Sequence, residues 1–526
     1  MVGALRLSPE DRPMTLRHIT QAPLARTAGL VALITTCYVL LQLVNLSHRW
    51  VDDESWYLMP LPSIHQEGRF RAPAVPGDDV FWAQPPLLTY LEAGLDRLSP
   101  LTASTARAIP LCVGALTIIA GFLLGQCLFG KAAGLWTAVF LAADNLVFLA
   151  SRTVRPEILV TLFLALSLWC AANAIQALQR KTIWLYLSGL FSAAAVWSHP
   201  NGLMAPASVC LFWLWNCRWD KTLLRRFLHL AIAIALFVAP LVLWIAYFDG
   251  PSGFSSFQSH WLHRYGRTAT VVSPTFGGRV IALLSAEWHG RYTDFVQFPY
   301  RLHVALAVLA LTIGSMLLGP APVRSLAVLV VFQVLFFAFG NNSNPSVRYL
   351  TTLAPLIALL AAFWLLQLWH KYRSARNRVA GSCAAFLVLT FGVSQLAGDG
   401  LYLWKSRSAD YERVSRSVDA LIPPNSVIYG GMFWWMGLRE HTLVPYMRMP
   451  WQRAVREWHP GVVIADDWVM ANSSTSGNWR SLRAELAAYL REHGRLLGEV
   501  DGRFYGDLKV YAVEYGASPT SPPVGP

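Results

Sequence analysis

Long apolar runs dominate this chain. About eleven stretches of some twenty residues carry almost no charge, a length that predicts membrane-spanning helices. Their apolar positions are continuous and do not alternate, which excludes a transmembrane β-barrel. The predicted helices cover residues 27–47, 107–127, 132–150, 157–177, 183–198, 202–217, 227–247, 302–318, 325–340, 349–369 and 380–398.

Composition supports the same class of protein. Hydrophobic residues make up 55% of the 526 positions and charged residues only 14%, and the mean hydropathy is +0.40. A water-soluble enzyme of this length would carry about a quarter charged residues. The pattern therefore predicts an integral, α-helical polytopic membrane protein.

The basic residues indicate the orientation. The formal net charge is +13, and the cations concentrate in short segments between alternate apolar runs. Lys and Arg accumulate on the cytoplasmic side of membrane proteins, so we expect a cytoplasmic N-terminus and an extracytoplasmic C-terminus. The net charge then needs no nucleic acid as a partner, since membrane lipids account for it. The predicted inner cations are Arg6, Arg12, Arg17, Arg26, Lys131, Arg180, Lys181, Arg218, Lys221, Arg225, Arg226, Arg324, Lys371, Arg373, Arg376 and Arg378.

Three regions follow from this pattern. Residues 1–398 form the predicted membrane domain, with long outer loops at about 48–106 and 248–301. Residues 399–516 combine β-like segments at 427–429, 462–465 and 508–514 with a helical one at 479–492, as expected for a small extracytoplasmic α/β domain. Residues 517–526 are rich in Pro, Gly and Ser and are predicted to be a disordered tail.

An acidic patch follows the first apolar run on the outer side. It reads Val51-Asp-Asp-Glu-Ser-Trp-Tyr57. Crowded carboxylates at a lipid boundary hold protons more tightly, which suits a general base. Asp53 and Glu54 are therefore the candidate catalytic residues, with Tyr57 beside them. The alternative is that these are solvated loop acids.

A second polar segment lies between the third and fourth runs. It contains Asp144, Arg152, Arg155 and Glu157. Ionisable groups near a membrane interior are costly and usually face a cavity or one another, and two arginines there could bind a phosphate. In the alternative interpretation the arginines reach lipid headgroups and Asp144 pairs with one of them.

Weaker candidates come from three other outer segments. Trp82 and Gln84 stand at a stiff turn with two prolines, and Arg348 precedes the tenth run. A proline pair often only stiffens a loop, and an arginine often only anchors a helix at the interface. His260 and His263 have metal-ligand spacing but no flanking acid, so the sequence leaves metal binding open.

Together these motifs resemble glycosyltransferase family 39, the dolichyl-phosphate-mannose protein mannosyltransferases, and their bacterial aminoarabinose-transferase relatives of the GT-C fold. The family's Asp-Glu pair is matched by Asp53-Glu54. Its "HPPL" or "KPPL" turn is matched by Gln84-Pro-Pro-Leu87, and its "DN…SR…LD" stretch by residues 144–157. Gln84 departs from the family's His or Lys, Trp82 stands where the mannosyltransferases have an acid, and Glu157 replaces an Asp.

The resemblance implies a GT-C membrane domain and a polyprenyl-phosphate-sugar donor. A sugar would pass with inversion to the hydroxyl of an extracytoplasmic acceptor, which could be a lipid, a glycan or a protein. Asp53 would be the general base and Arg152, then Arg348 and Arg155, would bind the donor phosphate. Asp144, Glu157 and Glu54 would support them or hold a divalent metal ion if one is used.

Two other functions stay open at this point. A transporter or flippase of polyprenyl-linked lipids would be expected to show internal repeats and midplane helix breaks, and no repeat is evident. A non-catalytic membrane scaffold could bind glycans through its tail. The expected location in each case is a bacterial inner membrane, with the site on the extracytoplasmic side.

Overall fold

A computed structural model describes most of the chain. It covers residues 24–72, 85–176, 181–216, 221–249, 278, 281, 302–340, 347–446, 449–466, 477–502 and 505–515. At Asp52, Asp53 and Arg348 the backbone is described but the side chain is not. Trp82 and Gln84 lie outside the described residues, as do most of the predicted outer loop 248–301 and the predicted tail 517–526.

The described chain up to residue 406 is mainly helical, and every predicted apolar run coincides with helical structure. Its α-helices of six or more residues are α1 (Leu24–Leu43), α2 (Asp52–Leu58), α3 (Leu61–Glu67), α4 (Leu87–Leu98), α5 (Ala108–Phe129), α6 (Lys131–Ala143), α7 (Asn145–Ala150), α8 (Glu157–Gln176), α9 (Lys181–Ser198), α10 (Met204–Asn216), α11 (Lys221–Asp249), α12 (Leu302–Leu318), α13 (Ala321–Gly340), α14 (Ala354–Ala375), α15 (Arg378–Val388) and α16 (Ser394–Ser406). A π-helix, Leu389–Val393, joins the last two, and 3-10 turns lie at Pro200–Leu203 and Val347–Leu353.

Six described helical segments are long and apolar enough to cross a membrane, and four shorter apolar helices accompany them. The chain is therefore an integral membrane protein, while the predicted number of eleven spans stays a prediction. The predicted helix over 132–150 is in fact two helices. Asp144 adopts an extended conformation between them, and its carboxylate accepts hydrogen bonds from the amides of Leu146 and Val147, which caps α7.

Small residues let the buried helices approach closely. A Cβ atom at Gly134 in α6 would lie 2.7 Å from the carbonyl oxygen of Phe122 in α5. Helices in a membrane pack this tightly only where a side chain is missing. The α5–α6 pair therefore depends on a glycine at this position.

The described part of the first outer loop contains the three short helices α2, α3 and α4. Thr89 of α4 donates a hydrogen bond to the carbonyl oxygen of Tyr57 in α2, at 2.8 Å. One turn further along α4, Glu92 is completely buried, and neither of its carboxyl oxygens has a hydrogen-bond partner among the described residues. Burial, and then the nearby charge of Asp96, raise the pKa of Glu92 well above its usual value.

The C-terminal region is a small α/β unit built on a five-stranded sheet. Its strands are β1 (Val427–Gly430), β2 (Thr442–Pro445), β3 (Val462–Ala465), β4 (Gly494–Asp501) and β5 (Asp507–Val513), in the order β2-β1-β3-β5-β4. β1 pairs in parallel with β2 and β3, whereas β5 pairs antiparallel with β3 and β4. The helices are α17 (Tyr411–Asp419), α18 (Trp451–Trp458) and α19 (Gly477–His493), with a 3-10 turn at Met432–Met436.

This unit packs directly on the first outer loop. Arg439 donates two hydrogen bonds to the Asp96 carboxylate in α4, at 3.0 and 2.8 Å. Although burial alone would raise the pKa of Asp96, its hydrogen bonds from Arg439 and from the Leu101 amide lower it to about 2. The predicted division at residues 398 and 399 falls inside α16, so no linker separates the two regions there.

We expect Gly134→Ala to lower the stability of the protein. The new methyl group meets a backbone carbonyl of α5, and such overpacking costs about 1–3 kcal/mol. Thermal unfolding in detergent measures the effect. Gly314→Ala in the apolar helix α12 is the matched control, because no atom lies within 4 Å of its added Cβ. Equal melting temperatures for the two variants would contradict this packing.

We expect Glu92→Gln to raise the melting temperature at pH 8, and the gain to shrink towards pH 5. A carboxyl whose pKa is raised by folding does not destabilise the protein at pH values below its unfolded-state pKa, near 4.5. It destabilises the folded protein increasingly as the pH rises from there through its folded-state pKa. An ionised, unpaired group in this place costs about 1–3 kcal/mol. Glu67→Gln, at an exposed ion pair with Arg71, is the control. A gain independent of pH would show that folding does not raise the pKa of Glu92.

Candidate functional site

The centre of the candidate site is the carboxylate of Glu54 in the first turn of α2. The side chain is fully buried and forms two hydrogen bonds with Arg107, at 2.9 and 2.8 Å. Its oxygens also accept hydrogen bonds from the amides of Val51 and Val154, each at 3.0 Å. Because a buried charge is tolerated only when it is paired and fully hydrogen-bonded, these contacts fix the start of α2.

Arg107 is the main residue that sequence reasoning missed. It precedes α5, and its guanidinium also donates to the carbonyl oxygens of Leu46 (2.6 Å), His48 (2.9 Å) and Arg49 (3.0 Å). The His48 ring accepts a further contact from it. Burial, and then the charge of Arg107, lower the pKa of His48 well below its usual value, so the imidazole is neutral and can accept.

A sequence signal for Arg107 existed. It is a single arginine at the start of a run of about twenty apolar residues, where an unpaired cation would be costly. Such a residue needs an acidic partner, and the outer loop before it offers several, among them Glu92 and Asp96 as well as the acidic patch 52–54. A buried ion pair could therefore have been proposed, although the choice of Glu54 as the partner could not.

Arg152 holds the end of the first membrane helix. Its guanidinium is fully buried and donates to the carbonyl oxygens of Gln42, Val44 (2.7 Å) and Asn45 (2.8 Å). Helices end with carbonyl groups that lack intrahelical partners, and a cation near them is favourable. In its described contacts, Arg152 therefore binds and stabilises the C-terminus of α1.

Arg155 and Glu157 form a second buried pair. Arg155 Nη2 lies 3.0 Å from a Glu157 carboxylate oxygen, and its Nε lies 3.3 Å from both oxygens. Glu157 is the first residue of α8. The pair is thus close to neutral as a unit, and Arg155 directly follows Val154, whose amide binds Glu54.

The other predicted residues are placed as follows. Asp53 lies in the first turn of α2, next to Glu54. Tyr57, in the same helix, is buried. Arg348 is the second residue of the 3-10 turn Val347–Leu353, which packs against α8 and α7. The structure therefore joins segments 53–57 and 152–157 through the hydrogen bond between Glu54 and the Val154 amide, and it places residue 348 in a turn against the helices on either side of residues 151–156.

Metal binding can be examined only for part of the site. No group of three or more His, Cys, Asp or Glu side chains that could hold an ion occurs among the residues whose side chains are described. Asp52 and Asp53 are not among those side chains, and neither are His260 and His263. Glu54 already accepts four hydrogen bonds, from Arg107 and two amides, so it is poorly suited to be a ligand.

A family model and a curated relative match parts of this chain. Residues 83–244 match the family model of the dolichyl-phosphate-mannose-protein mannosyltransferases. A curated relative, the dolichyl-monophosphooligosaccharide–protein glycotransferase AglB of Haloferax volcanii, is 24% identical over 287 residues. That match covers 49% of this chain and 26% of AglB, so the chain spans about a quarter of that relative's length.

Solved structures extend the likeness to nearly the whole fold. ArnT from Cupriavidus metallidurans, bound to undecaprenyl phosphate, matches with a TM-score of 0.62 at 14% identity, over 95% of this chain and 100% of ArnT. An oligosaccharyltransferase from Archaeoglobus fulgidus matches with a TM-score of 0.57 at 13% identity, over 89% of this chain and 73% of its own. The chain therefore has the GT-C fold of ArnT and of the archaeal oligosaccharyltransferase, and part of it is similar to the mannosyltransferase family model and to AglB.

Proposed function

We propose that this protein transfers a sugar from a polyprenyl-phosphate donor to a hydroxyl group of an acceptor outside the cytoplasm. The observation that carries the proposal is the way α2 is held. Glu54 binds Arg107 and the amide of Val154, so the helix that bears Asp53 stands beside the arginine-rich segment 152–157. A structural relative, ArnT, carries undecaprenyl phosphate, which supports a lipid phosphate as the leaving group.

In the proposed reaction Asp53 is the general base. Its carboxylate takes the proton of the acceptor hydroxyl, whose oxygen attacks the anomeric carbon from the face opposite the phosphate. The bond from that carbon to the phosphate oxygen breaks, and polyprenyl phosphate leaves with the electron pair, so the configuration inverts. A phosphate is a good leaving group, so stabilisation of its charge matters more than a general acid.

We assign the donor phosphate to Arg155 and Arg348. Arg152 was the first candidate from sequence, but its described hydrogen bonds go to three carbonyl oxygens, so in this proposal it acts by holding the end of α1. Glu157 would orient Arg155, to which it is bonded. Asp144 would keep α7 in place by capping it.

Three further assignments complete the proposal. Tyr57, Trp82 and Gln84 would contact the acceptor or the sugar, because they belong to the same outer loop as Asp53. A divalent ion, if one is used, would be bound by Asp53 and not by Glu54, whose oxygens already accept four hydrogen bonds. The site would face the extracytoplasmic side of a bacterial inner membrane, in keeping with the clustering of cations in the opposite segments.

Replacing the proposed base tests the function. Asp53→Asn keeps the shape of the side chain but cannot accept the proton, so we expect turnover to fall about 10²–10⁴-fold. The assay uses purified protein in detergent with a panel of undecaprenyl-phosphate hexoses and pentoses, and membrane extract as the source of acceptor. Transfer without a membrane potential also separates an enzyme from a transporter.

Asp52→Asn is the matched control, because it removes an adjacent carboxylate of the same helix turn. We expect it to retain most of the activity. Near wild-type turnover of Asp53→Asn would exclude this base, and equal losses in both variants would assign the effect to the charge of the patch and not to Asp53.

A further inference from the structure

The backbone of Trp50, two residues before α2, is bound by a side chain of the C-terminal unit. The Tyr505 hydroxyl donates a hydrogen bond to the Trp50 carbonyl oxygen and accepts one from the Trp50 amide, both at 2.8 Å. The two residues are 455 positions apart. Because both backbone groups of Trp50 are bound by one hydroxyl, the approach of the chain to α2 has a fixed position.

The indole of Trp50 links this contact to the candidate site. It is fully buried, and the Arg107 guanidinium lies 4.8 Å from the ring centroid. Its Nε1 donates to the hydroxyl of Ser55, next to Glu54 in α2, at 2.8 Å. On another side the ring stacks on Tyr411 of α17. Trp50 therefore contacts α2, the partner of Glu54 and the C-terminal unit at once.

Tyr505 is itself rigidly packed. Its ring stacks on Phe433, with centroids 4.8 Å apart and planes inclined by 12°, and it also contacts Trp434. Both belong to the 3-10 turn Met432–Met436, which packs against α2. The cationic group of Arg49 lies 5.0 Å from the Tyr505 ring. The ring that carries the hydroxyl is thus packed in a buried aromatic cluster.

We propose that Tyr505 is a positioning residue for sugar transfer: the C-terminal unit sets the placement of α2 through the Tyr505–Trp50 contact. This inference rests on the proposed function of Asp53, which follows Trp50 by three residues. The C-terminal unit then contributes to catalysis by keeping α2 in place. Tyr505 touches no reacting atom, so it acts through the backbone it binds.

The expected effect is on turnover. Misplacing a reacting group by about 1 Å can cost roughly 10²-fold in rate, while binding of the lipid elsewhere along the helices is unchanged. Loss of two hydrogen bonds to one backbone residue should therefore lower kcat and leave the donor KM nearly the same. A general loss of fold would instead reduce the amount of active protein and the melting temperature.

The test is Tyr505→Phe, which removes only the hydroxyl and keeps the stacked ring. We expect kcat to fall about tenfold or more, with the donor KM within about twofold. Hydrogen exchange of the peptide covering residues 50–58 should become faster in the same variant. The full-length protein is used in detergent, with the donor panel described above.

Tyr429→Phe is the matched control. Tyr429 is also a buried tyrosine of the C-terminal unit, but its hydroxyl donates to the carbonyl oxygen of Met449, within that unit. Wild-type kcat in Tyr505→Phe, or equal losses in both variants, would overturn the proposal. Ser55→Ala, which removes the bond between Trp50 and α2, should reproduce the kcat effect.

The exchange measurement separates this inference from the proposed function. If the wild-type protein transfers no sugar from any donor, the assignment of Asp53 fails. Faster exchange at residues 50–58 in Tyr505→Phe alone would still show that the C-terminal unit holds α2. Unchanged exchange in that variant would overturn the positioning role whatever the activity.

Discussion

The buried ion pair of Glu54 and Arg107 is the interaction on which the rest of the site depends. Two charges removed from water are stable only if their attraction and every remaining hydrogen bond offset the loss of hydration. Here the carboxylate also binds two amides and the guanidinium three backbone carbonyl oxygens. These partners lie in three different segments, so satisfying one pair fixes the start of α2, the end of the loop after α1 and the turn before α8. Breaking such a pair typically costs about 3–5 kcal/mol, because it leaves one charge buried alone.

The C-terminal unit packs on the first outer loop at two places. Its contacts with the first outer loop include the two-bonded pair of Arg439 with Asp96 and the hydroxyl of Tyr505 on Trp50. The first is partly exposed and the second is buried in an aromatic cluster. Together they join the unit to α4 and to the residues before α2.

The sequence predicted the fold more completely than the site. Continuous apolar runs are strong signals, and each one coincides with helical structure. The break at Asp144 was missed because one capping aspartate lowers the mean hydropathy of such a long run only slightly. β2 and β4 were not predicted, since β2 ends in a proline, which is unusual inside a sheet, and β4 carries charged and glycine residues. Segments 53–57 and 152–157 were chosen from their costly charges and from the resemblance, and the hydrogen bond of Glu54 with the Val154 amide joins them. The contacts of Arg152 with α1 and of Tyr505 with Trp50 could not be, because hydrogen bonds to backbone carbonyls leave no mark in the sequence.

In the proposed reaction, the lipid phosphate of the donor lies next to the acceptor, beside α2. A cryo-electron microscopy structure of the full chain with undecaprenyl phosphate tests it most directly. The account predicts phosphate density within hydrogen-bond distance of Arg155 or Arg348, on the side of the membrane where Glu54 binds Arg107 and Val154. Phosphate bound at the opposite ends of the helices, next to Lys131 or Arg324, would contradict it.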